Sequence, residues 1–334
     1  MVNWAITGKC NLKCTHCYGE YGRVQNEEVP LDTIKKTIDA LRAMGTKRIT
    51  IEGGEPLVRK DAEEIISYIY DRGIEMSLCT NGVLLERHAG FIKDKIDLLV
   101  LSLEGCEEHH DALRGAGNFS KVLNAIEVAK KHNMRALIFT CLIDENINDI
   151  DFLIATAQKY AVNIAFNIGV AKVEKEGGRG QLNKVADDDY KAAFLKISNY
   201  KRNGAPVFYS ESNFKQVLNW PTFAKEKFSP EDISCMDEGL KKTMIPCYAG
   251  VNYCYVECDG SVYPCYQTVG IIQAKNIAIN GFKESFEHLS NISSCKHCYN
   301  TALSELNLQC KLDLRSVLKV IANYRSTLSG GGSH

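Results

Sequence analysis

Between Trp4 and Tyr200 the apolar positions alternate between short unbroken runs and a helical repeat. Trp4-Ala5-Ile6-Thr7 reads as a first strand. Leu31 to Met44 reads as a helix, because Ile34, Ile38 and Leu41 recur at i, i+4 and i+7, Asp32 sits near its start and Gly45 follows its end. Arg48-Ile49-Thr50-Ile51 is a second strand, and Ala62 to Asp71 a second helix stopped at Gly73. Ile74 to Cys79 is a third strand, followed by a Thr80-Asn81-Gly82 turn and a helix from Val83 to about Lys93. Leu98 to Leu103 is nearly all apolar, as a strand covered on both faces should be. A helix marked by Phe119, Val122, Ile126 and Ala129, a strand from Arg135 to Cys141 and a helix from Ile147 to Lys159 come next. Asn163 to Ile168 is a sixth strand, with a helix from about Asp187 to Tyr200 behind it. Six strand–helix units predict a parallel sheet with helices outside.

After Tyr200 the alternation fails. Residues 201–234, with Pro206, Pro221 and Pro230, read as a bridging segment. From 235 to 326 the chain is rich in cysteine and tyrosine, with an expected closing helix over Leu312 to Tyr324, and reads as a separate small domain. The end, residues 327–334, looks like a linker with a tag remnant and takes no part in the fold argument. Fourteen cysteines in 334 residues change the picture further. Three lie between Cys10 and Cys17 and eight between Cys235 and Cys310, and without an export signal such crowding points to metal or redox chemistry before disulfides. Cys79, Cys106 and Cys141 have no spacing partner, and the two on strands, Cys79 and Cys141, are expected to be small buried apolar residues. Net charge is −1, which gives no electrostatic case for nucleic acid or an anionic membrane. No signal peptide and no membrane-length apolar run is present, so a cytoplasmic protein is expected.

The chemistry centres on Cys10-Asn11-Leu12-Lys13-Cys14-Thr15-His16-Cys17. Three thiolates on one loop suit a [4Fe–4S] cluster with one iron left open; structural zinc would call for four closed ligands. The loop resembles that of the radical S-adenosylmethionine (SAM) enzymes, in which SAM takes the open iron. Gly53-Gly54-Glu55-Pro56, directly after the second strand, resembles the family's GGEP motif, which holds the methionine amino group of SAM. Thr80-Asn81-Gly82 and Ser102-Leu103-Glu104-Gly105 resemble segments that reach the SAM ribose and carboxylate, and Arg114 resembles a residue that can fork onto that carboxylate. The turn reading of Asn81-Gly82 and a salt-bridge reading of Arg114 stand beside these. The resemblance thus implies cluster ligands Cys10, Cys14 and Cys17, and cofactor contacts from His16, Gly53, Gly54, Glu55, Thr80, Asn81, Ser102 and Arg114. His109 and His110 are expected at the surface. In fold, the resemblance implies an α/β partial (β/α)6 TIM barrel over 1–200, its site at the C-terminal ends of the strands.

Cys247, Cys265 and the pair Cys295/Cys298, with a hairpin expected at Asp259-Gly260, resemble the small cysteine-rich auxiliary-cluster domain called SPASM or twitch. Ser304 stands where the larger form adds a cysteine, which favours the one-cluster form; zinc is the alternative for the same four thiols. Cys254, Cys258 and Cys310 remain as spares. The resemblance implies reductive cleavage of SAM to a 5′-deoxyadenosyl radical that takes a hydrogen atom from substrate. An auxiliary [4Fe–4S] cluster acting as electron relay suits dehydrogenation of a small molecule. A peptide maturase, a radical epimerase and, from another class, a non-catalytic zinc or iron–sulfur protein are the alternatives. Peptide maturases often carry an added N-terminal leader-binding domain, for which Met1–Asn3 leave no room. Tyr266 is expected to pack, and Lys172, Glu174 and Arg179 to flank the mouth on a charged loop. A small-molecule or peptide substrate and a flavodoxin or ferredoxin reductant are the implied partners, with no nucleic acid and no membrane.

Overall fold

The computed structural model describes residues 1–22, 27–170, 185–290 and 295–311. Lys172, Glu174, Arg179, the expected helix Leu312–Tyr324 and the tail lie outside them. Among the described residues no helix is long and apolar enough to cross a membrane. The chain divides into two compact units, Met1–Lys184 with Ala249–Ser293, and Val185–Tyr248 with Ser294–His334.

The first unit is built on a mostly parallel sheet. Strands β1 (Val2–Thr7), β2 (Arg48–Gly53), β3 (Glu75–Thr80), β4 (Leu98–Ser102), β5 (Ala136–Leu142) and β6 (Asn163–Ile168) lie side by side in sequence order, every pair parallel. The crossovers are helices α1 (Leu31–Ala43), α2 (Ala62–Asp71), α3 (Leu85–Ile92), α4 (Glu107–Arg114) with α5 (Asn118–Lys131), and α6 (Ile150–Tyr160). The sheet does not close. It is the parallel sheet that the alternation predicts, in the open partial-barrel form that the resemblance implies, and the crossover helix α4, short and strongly polar, has no forerunner in the sequence pattern.

Parallel pairing puts register partners on the same face. Ile49, Ile51, Met76, Leu78, Leu99, Leu101, Ile164 and Phe166 share one face, all fully buried, and helices α2, α5 and α6 pack on this sheet. The opposite face is mixed: Thr50, Glu52, Ser77, Cys79, Ser102, Cys141 and Asn167 share it with Leu98, Val100, Leu137, Phe139 and Ala165. The hydroxyls, thiols, amide and acid on this face are more polar than a packed sheet interior calls for. Glu52, Cys79, Ser102 and Cys141 are part-exposed on it, close to the C-terminal ends of their strands.

The outer edge of β1 is covered by a later segment. Strand β8 (Cys254–Val256) runs parallel to β1, with Val2, Asn3 and Trp4 opposite Cys254, Tyr255 and Val256. Strand β9 (Ser261–Tyr263) returns antiparallel around Asp259-Gly260, and β10 (Lys275–Asn276) closes the row. The expected hairpin is therefore present, and it extends the barrel sheet. Helix α11 (Ile277–Leu289), interrupted by a non-helical residue at Gly281, packs beside α1.

The second unit is mainly helical. Its elements are α7 (Asp187–Arg202), α8 (Glu211–Leu218), β7 (Lys227–Phe228), α9 (Pro230–Ser234), α10 (Glu238–Lys241), β11 (His297–Cys298) and α12 (Thr301–Cys310). Trp220, fully buried, stacks on Phe228 at 4.6 Å and meets Tyr299 at 5.7 Å. A buried polar seam ties α8 to α12: Glu305 accepts from the backbone N–H and hydroxyl of Ser210, and Asn213 donates to the carbonyl of Thr301 at 2.6 Å. Helix α8 and strand β7 lie inside residues 201–234, where the sequence offered only a bridge.

Candidate functional site

Local chemistry explains why the Cys10–Cys17 loop and the Gly53-Gly54 loop sit together. Gly54 donates its N–H to the carbonyl of Thr7 at 2.9 Å, and Glu55 donates to that of Lys9 at 2.9 Å. A Cβ on Gly53 would stand 2.4 Å from the Thr7 carbonyl oxygen, and one on Gly54 only 2.1 Å from that of Lys9. Gly53 also holds a φ of +131°. These glycines therefore serve a backbone-to-backbone contact between the two loops.

Glu55 is fully buried and organises the end of β3. Its carboxylate accepts from the Thr80 hydroxyl at 2.8 Å, the Asn81 N–H at 2.8 Å and the Leu57 N–H at 3.2 Å. Burial pushes its carboxyl above the usual carboxylate range, against the pull of these three donors. The Asn81 side chain reaches back and donates to Asn11 in the cysteine loop at 2.8 Å. The turn at Asn81-Gly82 is present, with the Val83 N–H donating to Asn81 Oδ1 at 3.0 Å and Gly82 at a φ of +82°, and Asn81 also connects two of the predicted segments. Ser102 stands part-exposed on the polar face of the sheet, at the end of β4.

The largest omission of the sequence reading is Glu104. It is 1% exposed. Arg114 Nε donates to its Oε1 at 2.9 Å, His16 Nε2 lies 3.2 Å from the same oxygen, and the Cys141 N–H donates to Oε2 at 2.9 Å. Burial alone would raise this carboxyl; Arg114 and His16 outweigh it and hold it well below the ordinary range. Arg114 is thus committed to Glu104 through Nε and Nη2, while its Nη1 lies 4.0 Å from the Cys14 sulfur. Glu104 lies in the quoted Ser102–Gly105 segment, and the only sequence signal for it was an acid ten residues before an arginine.

His110 is a correction. It is 1% exposed, accepts the Glu104 N–H at Nδ1, and burial, with Arg114 beside it, brings its pKa down to about 4. His109 is half-exposed and bonded to Asp149. Cys79 and Cys141 also differ from expectation: both face the polar side of the sheet, part-exposed. Glu52, between them and β1, was not singled out. Burial and then Glu257 push its carboxyl up to about 8. Tyr266 packs as expected, 4.9 Å from Tyr18, in a group where Tyr21 bonds both Tyr255 at 2.8 Å and Glu257 at 2.9 Å.

The donor set fits an iron–sulfur cluster with a polar small-molecule ligand. Cys10, Cys14 and Cys17 are part-exposed thiols on one loop with no disulfide. Burial raises Cys10 to about 11 and also raises Cys14, whose proximity to Arg114 acts in the other direction. Three thiols on one loop suit a cubane, whose irons are ligated separately, better than one shared ion. His16 Nδ1 is buried with no hydrogen-bond partner, an orphan that a ligand on this loop would satisfy. In the second unit, the Cys247 N–H donates to the Lys296 carbonyl at 2.8 Å, which sets Cys247 against the segment carrying Cys295 and Cys298. Cys265 belongs to the first unit.

Residues 4–157 match the model of the Radical SAM superfamily. The chain is 28% identical over 302 residues to the AdoMet-dependent heme synthase of Methanosarcina barkeri, covering 86% of this chain and 82% of that protein. It is 31% identical over 154 residues to the Fe-coproporphyrin III synthase of the same organism, covering 45% of this chain and only 39% of that protein. Among solved structures, anSMEcpe with bound AdoMet and the Kp18Cys peptide superposes with a TM-score of 0.65 at 19% identity, covering 97% of this chain and 99% of that one.

Proposed function

This chain is a member of the radical SAM superfamily, and from that premise we propose that it uses SAM to modify a substrate at the polar face of its open barrel, the net reaction being a dehydrogenation. Cys10, Cys14 and Cys17 hold the [4Fe–4S] cluster of the family. Cluster and SAM, when bound, supply a 5′-deoxyadenosyl radical for hydrogen-atom abstraction. The observation that carries this reading is one connected set of contacts: Gly54 and Glu55 onto the cysteine loop, Asn81 onto Asn11, and Glu104 onto His16 and Arg114.

Each residue then has its part. Gly53 and Gly54 keep the two loops close enough to share a ligand. Glu55 holds Thr80 and Asn81 and retains lone-pair capacity for the amino group of SAM. His16 offers its unsatisfied Nδ1, and Ser102 its hydroxyl. Arg114, clamped by Glu104, presents a fixed positive charge to Cys14 and to the SAM carboxylate. By their resemblance in sequence to the SPASM or twitch pattern, Cys247, Cys265, Cys295 and Cys298 would be the ligands of an auxiliary [4Fe–4S] cluster, which would supply an acceptor for the second electron, with a flavodoxin or ferredoxin as donor of the first.

A small-molecule substrate is supported by the match across 82% of a heme synthase. A peptide substrate is the second reading, favoured by the fold shared with a peptide-bound enzyme. The test is anaerobic reconstitution, an iron count and 5′-deoxyadenosine release from SAM under reductant. About eight irons per chain are expected for two cubanes, falling to about four, with no deoxyadenosine, in Cys14→Ala. Cys265→Ser should also lose about four irons yet still cleave SAM. Undiminished deoxyadenosine from Cys14→Ala would sink the reading.

A further inference from the structure

Away from the cysteine loop, three metal-ligating side chains of different chemistry meet at one point. Cys106 is the N-cap of α4, His109 follows within the first turn, and Asp149 comes from the turn before α6. Nδ1 of His109 lies 2.7 Å from Oδ2 of Asp149 and 3.5 Å from Sγ of Cys106. All three ligand atoms fall within 4.8 Å of one another. The pocket is built to bring the carboxylate in. The Cys106 N–H donates to the same Oδ2 at 2.9 Å, and a Cβ on Gly105 would stand 2.2 Å from that oxygen.

Without a cation the trio is held by a hydrogen bond between Nδ1 and Oδ2, with the thiol beside it. A neutral imidazole carries at most one proton at Nδ1. If Nδ1 is protonated it donates to Asp149, and the neighbouring thiol then has no acceptor there. If it is not, Nδ1 and Oδ2 are two acceptors at 2.7 Å with no proton between them. A cation in place of the Nδ1 proton would engage all three groups, because imidazole nitrogen, thiolate and carboxylate can all direct lone pairs at it.

We propose that Cys106, His109 and Asp149 form a binding site for a zinc ion. One sulfur, one imidazole nitrogen and one carboxylate oxygen make a mixed set that suits zinc better than the all-oxygen preference of magnesium or calcium. Cys106 and His109 are part-exposed, so a water can complete a tetrahedral shell. Three protein ligands plus water is the zinc arrangement that keeps one position exchangeable. The site lies on the loops after β4 and β5, the end of the sheet where Glu104 and Arg114 sit. An exchangeable position there fits an oxygen donor, such as a carboxylate or carbonyl, on a molecule entering the barrel. The proposal does not depend on the nature of the reaction.

The test uses cluster-loaded protein, so that the thiols holding iron are occupied. It is equilibrated anaerobically with zinc, passed over a weak chelating resin, and assayed for zinc and iron. One zinc per chain should remain, and its zinc K-edge absorption should report a single sulfur among nitrogen and oxygen ligands. Cys106→Ser and His109→Gln should each lose that zinc with iron content and deoxyadenosine formation unchanged. Failure of the parent protein to retain zinc overturns the proposal. So does a shell of several sulfurs in the parent, or zinc held equally by both variants, since either places the metal on other cysteines.

Discussion

The residues that set the character of the site are buried ionisable groups whose partners come from distant positions. Glu104 and Arg114 form a pair with side chains 2% and 14% exposed. Removing one member leaves the other charge uncompensated, which costs about 3–5 kcal/mol. Glu104→Gln is therefore expected to lower stability by about 3 kcal/mol in denaturant melts, and to weaken SAM binding by freeing Arg114 and His16 together. A loss below about 1 kcal/mol would mean that the pair is solvated in solution. His110 gives a pH signature. Its folded pKa of about 4 lies below the ordinary value of 6.5, so the unfolded chain takes up the proton first as pH falls. Stability from this group is fully present above 6.5 and is lost as pH falls toward 4. His110→Gln should flatten that part of the stability profile, as read by melts at stepped pH. Glu52 acts with the opposite sign. Its carboxyl, pushed up to about 8, makes the folded state lose stability as pH rises from 4.5 through 8, and Glu52→Gln should remove that loss.

At the scale of elements, two glycines have contrasting roles. Gly54 faces the Lys9 carbonyl so closely that any side chain must part the two loops, because both neighbours are backbone. Gly54→Ala is expected to abolish SAM cleavage and to lower iron content, measured on reconstituted protein. Gly90, inside α3, has open space around its Cβ position and no positive φ. Gly90→Ala should stabilise the fold by about 0.5–1 kcal/mol through helix propensity alone. Most elements were legible to within a few residues because each combines a clear period with a stop signal: α2 spans Ala62–Asp71 and β6 Asn163–Ile168, as their patterns predict. Helix α4 was not, because Glu107-Glu108-His109-His110 offers no apolar stripe. Its burial comes instead from His110 and Leu113 against partners elsewhere in the fold.

Over the whole molecule, the decisive feature is that residues 254–276 extend the sheet begun at Val2. Without them β1 presents a bare edge, and Tyr21 loses Tyr255 and Glu257. An unpaired strand edge is a template for association. A chain ending at residue 184 is accordingly expected to aggregate, as followed by light scattering and soluble yield. A monodisperse, cooperatively melting product would show that the hairpin is dispensable to the barrel.

The sequence by itself determined the alternation of strands and helices, the cysteine loop behind the first strand, and the Gly53-Gly54-Glu55 turn behind the second. All three are local patterns, fixed by period, spacing and backbone freedom. Only the tertiary structure decided which groups share an environment. Glu104 with His16 and Arg114, Asp149 with Cys106 and His109, and Glu52 near Glu257 are pairs and triads drawn from different strand–helix units. A buried charge is held by its neighbours across the fold, and no period along the chain records who those neighbours are.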